Sequence, residues 1–103
     1  MTRNETTARK FNESVDYFTP CYGNPFEDCA INLLANYRDM KSVNEDWANA
    51  TITKTIKRMP KSIIKDVMLC VNSADNHKKF DIFTGTAVFN RLRNECSDRG
   101  IFF

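Results

Sequence analysis

The stretch from Thr51 to Val71 constrains the fold most, because it shows helical periodicity on both sides of a single proline. Apolar residues recur at helical spacing before and after Pro60, namely Ile52, Ile56 and Met59, then Ile63, Ile64, Val67, Met68 and Val71. Proline has no N–H to donate and disfavours helical geometry in the residue before it, so the first helix should end near Met59. The pattern predicts two amphipathic helices joined at Pro60, and we expect their mutual packing to form the centre of the core.

Positive charge is concentrated on the outer side of this stretch. Five basic residues fall mostly between the apolar positions and predict a basic face turned to solvent: Lys54, Lys57, Arg58, Lys61 and Lys65. Residues 51–103 contain ten Lys and Arg against five Asp and Glu, a balance of +5, whereas residues 1–50 contain five against eight, a balance of −3. The C-terminal half is therefore the half that would attract an acidic partner.

The remaining segments predict further short helices, so we expect a single all-α domain over residues 1–103, a compact bundle of about five helices. Residues 1–6 should be disordered, and helices should cover about residues 7–18, 25–40, 43–59, 61–72 and 86–99. Asn24 before Pro25, Ser42 with Glu45, and Thr86 after a glycine are the expected helix starts. The polar run 72–79 is predicted to be a loop, and the apolar residues of 80–83 are predicted to be core.

The cysteines and the N-terminus indicate a reduced, intracellular protein. Cys21, Cys29, Cys70 and Cys96 form no CxxC pair, and three of them fall on predicted apolar helix sides, where a free cysteine acts as a small hydrophobe. The first residues lack the apolar run of a secretory signal, and no segment is long enough to span a bilayer. We therefore expect thiols rather than disulfides, and no membrane association.

No motif in the sequence points to catalysis. There is no GxSxG, no glycine-rich phosphate loop and no HExxH. The only histidine, His77, lies in a polar run with no partner nearby in sequence, and the adjacent carboxylates of residues 27–28 and 45–46 fall in the first turns of predicted helices, where they oppose the helix dipole. We expect no enzyme, no cofactor, no metal site and no small-molecule substrate.

Two functions stay open. The first is a protein-interaction module or small adaptor, acting alone or as a homodimer; the second is a nucleic-acid-binding domain, which would use the same basic face to neutralise phosphates. Trp47 bears on this choice, because it lies roughly 140° around the helix axis from Ile52 and so either packs on another neighbour or contacts a partner. The predicted partner-binding residues are Trp47, Lys54, Lys57, Arg58, Lys61 and Lys65.

One family resemblance accompanies the pattern around Pro60. Ile52, then Ile56 to Pro60 (IKRMP), then Val67 and Val71 resemble the BESS motif, a short two-helix segment of insect chromatin and transcription regulators. The resemblance covers about a quarter of the chain, residues 47–71. It implies protein association through the two helices, which favours the first of the two functions.

Overall fold

The computed structural model describes residues 2–15, 17–19 and 23–101, and within them the chain is a bundle of helices with no strand. The helices are α1 (Arg3–Glu13), α2 (Pro25–Val43), α3 (Glu45–Lys57), α4 (Lys61–Val71), α5 (Ala74–Lys79) and α6 (Ile82–Asp98). The predicted all-α class is confirmed, with one short helix more than expected.

Helix α2 occupies the centre of the bundle and packs against α1, α3, α4 and α6. It is buried on most sides, and Ala30, Leu33, Leu34 and Tyr37 are almost wholly covered. A helix that is apolar around most of its circumference is suited to such a position. The expectation that α3 and α4 pack on each other at the centre is wrong, because these two helices make little mutual contact and each packs on α2 and α6 instead.

The apolar stripes on either side of Pro60 are nevertheless buried as predicted. Every one of these side chains has at most 2% of its surface exposed: Ile52, Ile56, Met59, Ile63, Ile64, Val67, Met68 and Val71. Full burial of one such side chain stabilises a fold by about 1.5–3 kcal/mol relative to exposure. The two stripes therefore supply a large share of the core, although they pack on α2 and α6 rather than on each other.

Two helix starts differ from the sequence prediction. Residues 1–6 were expected to be disordered, but α1 begins at Arg3, since the Thr2 hydroxyl accepts a hydrogen bond from the Glu5 N–H and the Glu5 carboxylate accepts one from the Thr2 N–H. Asn24 caps α2 as predicted. Helix α3 is capped by Asn44 rather than Ser42, because α2 continues through residue 43 and the Ser42 hydroxyl donates back into that helix.

The region after α4 also differs. The expected loop contains α5, whose start is capped by the Ser73 hydroxyl. Helix α6 begins at Ile82 with Asp81 as its cap, so Gly85 lies inside the helix instead of breaking it and Thr86 caps nothing. Of the apolar residues of 80–83, only Phe80 is buried, and the prediction that its two apolar neighbours belong to the core is wrong.

The end of α6 secures the junction between α3 and α4. The Arg99 guanidinium donates to the carbonyls of Ile56 and Lys57 in the last turn of α3 and to that of Met59, two residues beyond the helix. One of these carbonyls, that of Ile56, would in a continuing helix bond the N–H that Pro60 lacks. Arg99 therefore caps α3 from a distant part of the chain.

Helix α6 itself ends as the sequence predicts. Gly100 adopts a left-handed φ of +73°, and its N–H donates to the carbonyl of Ser97, while the Ile101 N–H donates to that of Cys96. This pair of bonds is the Schellman ending, in which glycine avoids the strain that a Cβ would cause.

Buried amides hold the N-terminal part of the chain on α2. The Asn12 side chain, only 2% exposed, donates to the Pro25 carbonyl at 2.9 Å, which fixes α1 against the start of α2. Asn32 binds the backbone of Thr19 in both directions, donating to its carbonyl at 2.8 Å and accepting from its N–H at 3.0 Å. These bonds satisfy buried polar groups that would otherwise be costly.

The cysteines within the described residues are free, as predicted: Cys29 and Cys96 are buried and Cys70 is partly buried. The described residues contain no cluster of His, Cys, Asp and Glu able to hold a metal ion. No helix in the described part of the chain is both long enough and apolar enough to cross a membrane. The expectation that Cys21 is a thiol falls outside the described residues, as do Tyr22, Phe102 and Phe103.

Candidate functional site

The basic face is exposed where the sequence predicted it, and it begins on the last turns of α3. Lys54, Lys57 and Arg58 are exposed and together line a shallow depression on this helix. Cations in the last turn of a helix oppose the negative end of its dipole, so their position alone has an ordinary structural explanation. A function for these residues must rest on what lies beside them.

Lys61 and Lys65 continue the basic face on the first turns of α4, and both are exposed. Here the dipole gives no explanation, because cations at the start of a helix lie near its positive end. The first turn of α4 contains no acidic residue to offset them, and Pro60 provides no side-chain cap. None of the five predicted basic residues forms an ion pair within the described residues. Their charges are therefore available to a ligand.

The five cations lie on both sides of the α3–α4 junction, three at the end of α3 and two in the first turns of α4. Burial raises the pKa of the Tyr17 phenol, and the hydrogen bond to Thr55 and the charge of Arg58 partly offset that rise. Burial likewise raises the pKa of the Cys96 thiol, and the charges of Arg99 and Lys65 partly offset it.

Trp47 lies in the first turn of α3 with 51% of its surface exposed, so it does not pack into the bundle. At 100° per residue, Lys54 and Arg58 fall within about 20° of Trp47, roughly 10 and 16 Å further along the helix axis. We call these three residues the outer stripe of α3. An aromatic side chain and two unpaired cations therefore share one solvent-facing side of a single helix.

A second surface, which the sequence did not predict, lies on the opposite side of α3. A groove of about 500 Å³ separates the α2–α3 corner from the first turns of α6. One wall contains Lys41 and Glu45; the other contains Ile82 and Phe83, which are 63% and 75% exposed. Two large apolar side chains in water beside a groove are a feature typical of a contact surface.

The floor of this groove is held by a hydrogen-bond network. The Asn49 side-chain oxygen accepts from the Tyr37 hydroxyl at 2.7 Å and from Arg91 Nη2 at 2.6 Å. The Arg91 guanidinium also donates to the Ala87 carbonyl and lies 5.5 Å from the centre of the Tyr37 ring. Since these polar groups satisfy one another, the floor is preformed and its shape is fixed before any contact is made.

The sequence contained a signal for the exposed pair. Asp81 is a strong helix cap, and a helix that begins at Ile82 places Phe83 about 180° around the axis from Leu92, which is buried. Extending the apolar stripe of α6 back to this cap would have shown that the phenylalanine lies off it. The density of apolar residues in 80–83 outweighed the cap in the prediction.

No protein-family model matches the chain, and its comparison with curated proteins and with solved structures gave no significant match. The resemblance of residues 47–71 to the BESS motif is therefore unsupported by a family model. Function must be inferred from the two surfaces themselves.

Proposed function

We propose that the chain is a non-enzymatic protein-interaction module that binds a protein partner through the outer stripe of α3. The observation that carries the proposal is the half-exposed Trp47 in line with Lys54 and Arg58, two cations that have no acidic partner among the described residues. Tryptophan and arginine are the residue types most enriched at binding hot spots. The complementary partner surface has an apolar pocket for the indole and carboxylates beside it.

The basic residues of α4 extend this surface and steer an acidic partner toward it. Lys61 and Lys65 carry charge without opposing a helix dipole or pairing with a carboxylate in the described chain. Such charges raise the association rate and its dependence on salt more than they raise affinity. Affinity should depend chiefly on Trp47.

Affinity enrichment from the source cells tests the proposal, with three versions of the chain as bait. The wild type and Leu69→Gln, a control at an exposed apolar residue of α4, should retain the same protein, and Trp47→Ala combined with Lys54→Glu should lose it. The retained protein, purified, should shift the emission of Trp47 to shorter wavelength, because this is the only tryptophan of the chain. Equal retention by all three baits would contradict the proposal.

Direct nucleic-acid binding is the second candidate, and the five unpaired cations around the α3–α4 junction favour it. It predicts that the association constant for random duplex DNA falls by about 0.9 logarithmic units per phosphate contact for each tenfold rise in salt concentration. The double variant Lys57→Glu with Lys61→Glu should reduce that slope by about two contacts. A module that binds proteins should show almost no affinity for DNA at physiological salt.

A further inference from the structure

The groove between the α2–α3 corner and α6 adjoins the outer stripe at Asn49, which lines both this groove and the depression that contains Lys54 and Arg58. Trp47 lies on the far side, about 160° around α3 from Asn49. The groove combines a preformed floor with an exposed apolar wall at Ile82 and Phe83. We propose that this groove is a self-association surface, in which each copy seats the first turn of its α6 in the groove of the other.

The chain itself provides the occupant of the groove. The first turn of α6 presents Ile82 and Phe83 to solvent, and the same two side chains line the groove. In a two-fold arrangement each copy therefore offers both the groove and the apolar side chains that would fill it.

The charges around the groove are self-complementary. Lys41 and Glu45, of opposite sign, stand on the wall facing α6, and the α6 turn carries a carboxylate of its own at Asp81. A two-fold axis places Lys41 of one copy near Asp81 of the second copy, and Glu45 near the positive end of the second copy's α6. An interface between identical patches requires both signs on the same rim, which this groove has.

The contact also removes two large exposed apolar side chains of the described chain from water. Phe83 and Ile82 of one copy would lie against Ala87 and the Tyr37 ring of the other. Since each contact occurs twice in a two-fold dimer, four exposed apolar side chains are covered at once. The floor needs no rearrangement, because its hydrogen bonds are already formed.

Sedimentation velocity over a dilution series from about 1 µM to about 1 mM, where weak dimers dissociate, tests this inference. The wild type should sediment as a dimer at the upper end and as a monomer at the lower end. Phe83→Gln should remain monomeric throughout, and Leu69→Gln, with a matched change at a 56% exposed leucine of α4, should behave as the wild type. Circular dichroism shows that each variant is folded.

A charge exchange tests the two-fold arrangement. Lys41→Glu should weaken the dimer at least tenfold, because it places a carboxylate near Asp81 of the second copy, and Glu45→Lys should weaken it by placing a cation near the positive end of α6. The double exchange should weaken it at least as much as either single change, since both contacts then join like signs. Quenching of Trp47 by acrylamide should be the same in monomer and dimer, so this result is separate from the test of the outer stripe.

Four results would overturn the inference. A wild-type chain that stays monomeric at the highest concentration would leave the groove to a different molecule. A Phe83→Gln variant that dimerises like the wild type, or a Leu69→Gln variant that alone fails to dimerise, would place the interface elsewhere. A photoreactive phenylalanine analogue at position 83 should crosslink to the wall or floor of the groove in a second copy, and crosslinks confined to α4 would also refute the arrangement.

Discussion

Replacing Arg99 by alanine should destabilise the domain far more than its place near the end of α6 suggests. The side chain donates to three carbonyls at the end of α3, and the guanidinium is mostly covered. Hydrogen bonds to a charged group make a net contribution of about 1.5–3 kcal/mol to stability. In the alanine variant part of this is recovered, because water can bind the outermost carbonyl, that of the exposed Lys57. We expect Arg99→Ala to lower the free energy of unfolding by about 2 kcal/mol, or the melting temperature by roughly 10 °C.

Urea unfolding followed by circular dichroism measures this loss, and the chain supplies a matched control. Arg93→Ala removes the same group from an exposed position of α6 and should change stability by less than about 0.5 kcal/mol. Arg99→Lys should recover about half of the loss, because one ammonium cannot reach three carbonyls in the fork geometry of a guanidinium. If Arg99→Ala and Arg93→Ala unfold at the same urea concentration, the cap on α3 contributes nothing and the reasoning fails.

Three further predictions concern stability and reactivity. Gly85→Ala should raise the free energy of unfolding by about 0.5–1 kcal/mol, because alanine favours a helix and an added Cβ meets nothing within 4 Å inside α6. Gly100→Ala should lower it by about 1 kcal/mol, because an alanine is strained at a positive φ. Thermal melts that show equal shifts for both variants would refute this distinction. Hydrogen bonds from the backbone and side chain of Thr84 lower the pKa of Asp81. The stability that Asp81 contributes is therefore present above the unfolded-state pKa near 3.9 and is lost as the pH falls through the lower folded value. Asp81→Asn should reduce this loss of stability in acid, as measured by unfolding at pH 2–5. Burial raises the pKa of the Cys29 thiol to about 12, so at pH 8 its alkylation should be on the order of 10³ slower than that of a free cysteine; equal rates in native and urea-unfolded protein, read by mass spectrometry, would contradict this.

The sequence predicted which sides of the helices are buried better than it predicted how the helices are arranged. The stripes on both sides of Pro60 are buried as expected, because apolar periodicity records which face avoids water. Periodicity does not record which helix covers that face. The central position of α2 therefore could not be predicted, because polar residues such as Asp28 and Asn32 are buried there together with the apolar ones.

Capping residues were ambiguous where two of them lie close together. Ser42 and Asn44 are both good caps, and the structure uses Asn44, whose extended backbone (φ −159°, ψ 115°) lets its side chain accept from the Trp47 N–H. The chosen cap decides where α3 begins, whereas the helical phase of Trp47 relative to Ile52 is unchanged. The sequence left open whether the tryptophan packs on a neighbour or is exposed, and the structure shows that it is half exposed. The groove beside Phe83 could not be predicted, because its two walls come from distant segments.

The buried amide of Asn12 has a consequence for producing the protein in a secretory host. The chain contains three N-glycosylation acceptor triplets, at Asn4, Asn12 and Asn49. The nitrogen that a glycan would occupy on Asn12 is enclosed and bonded to the Pro25 carbonyl, whereas Asn4 is exposed and Asn49 is only partly buried. A sugar on Asn12 is therefore incompatible with the fold, so its addition there would have to precede folding and would prevent it.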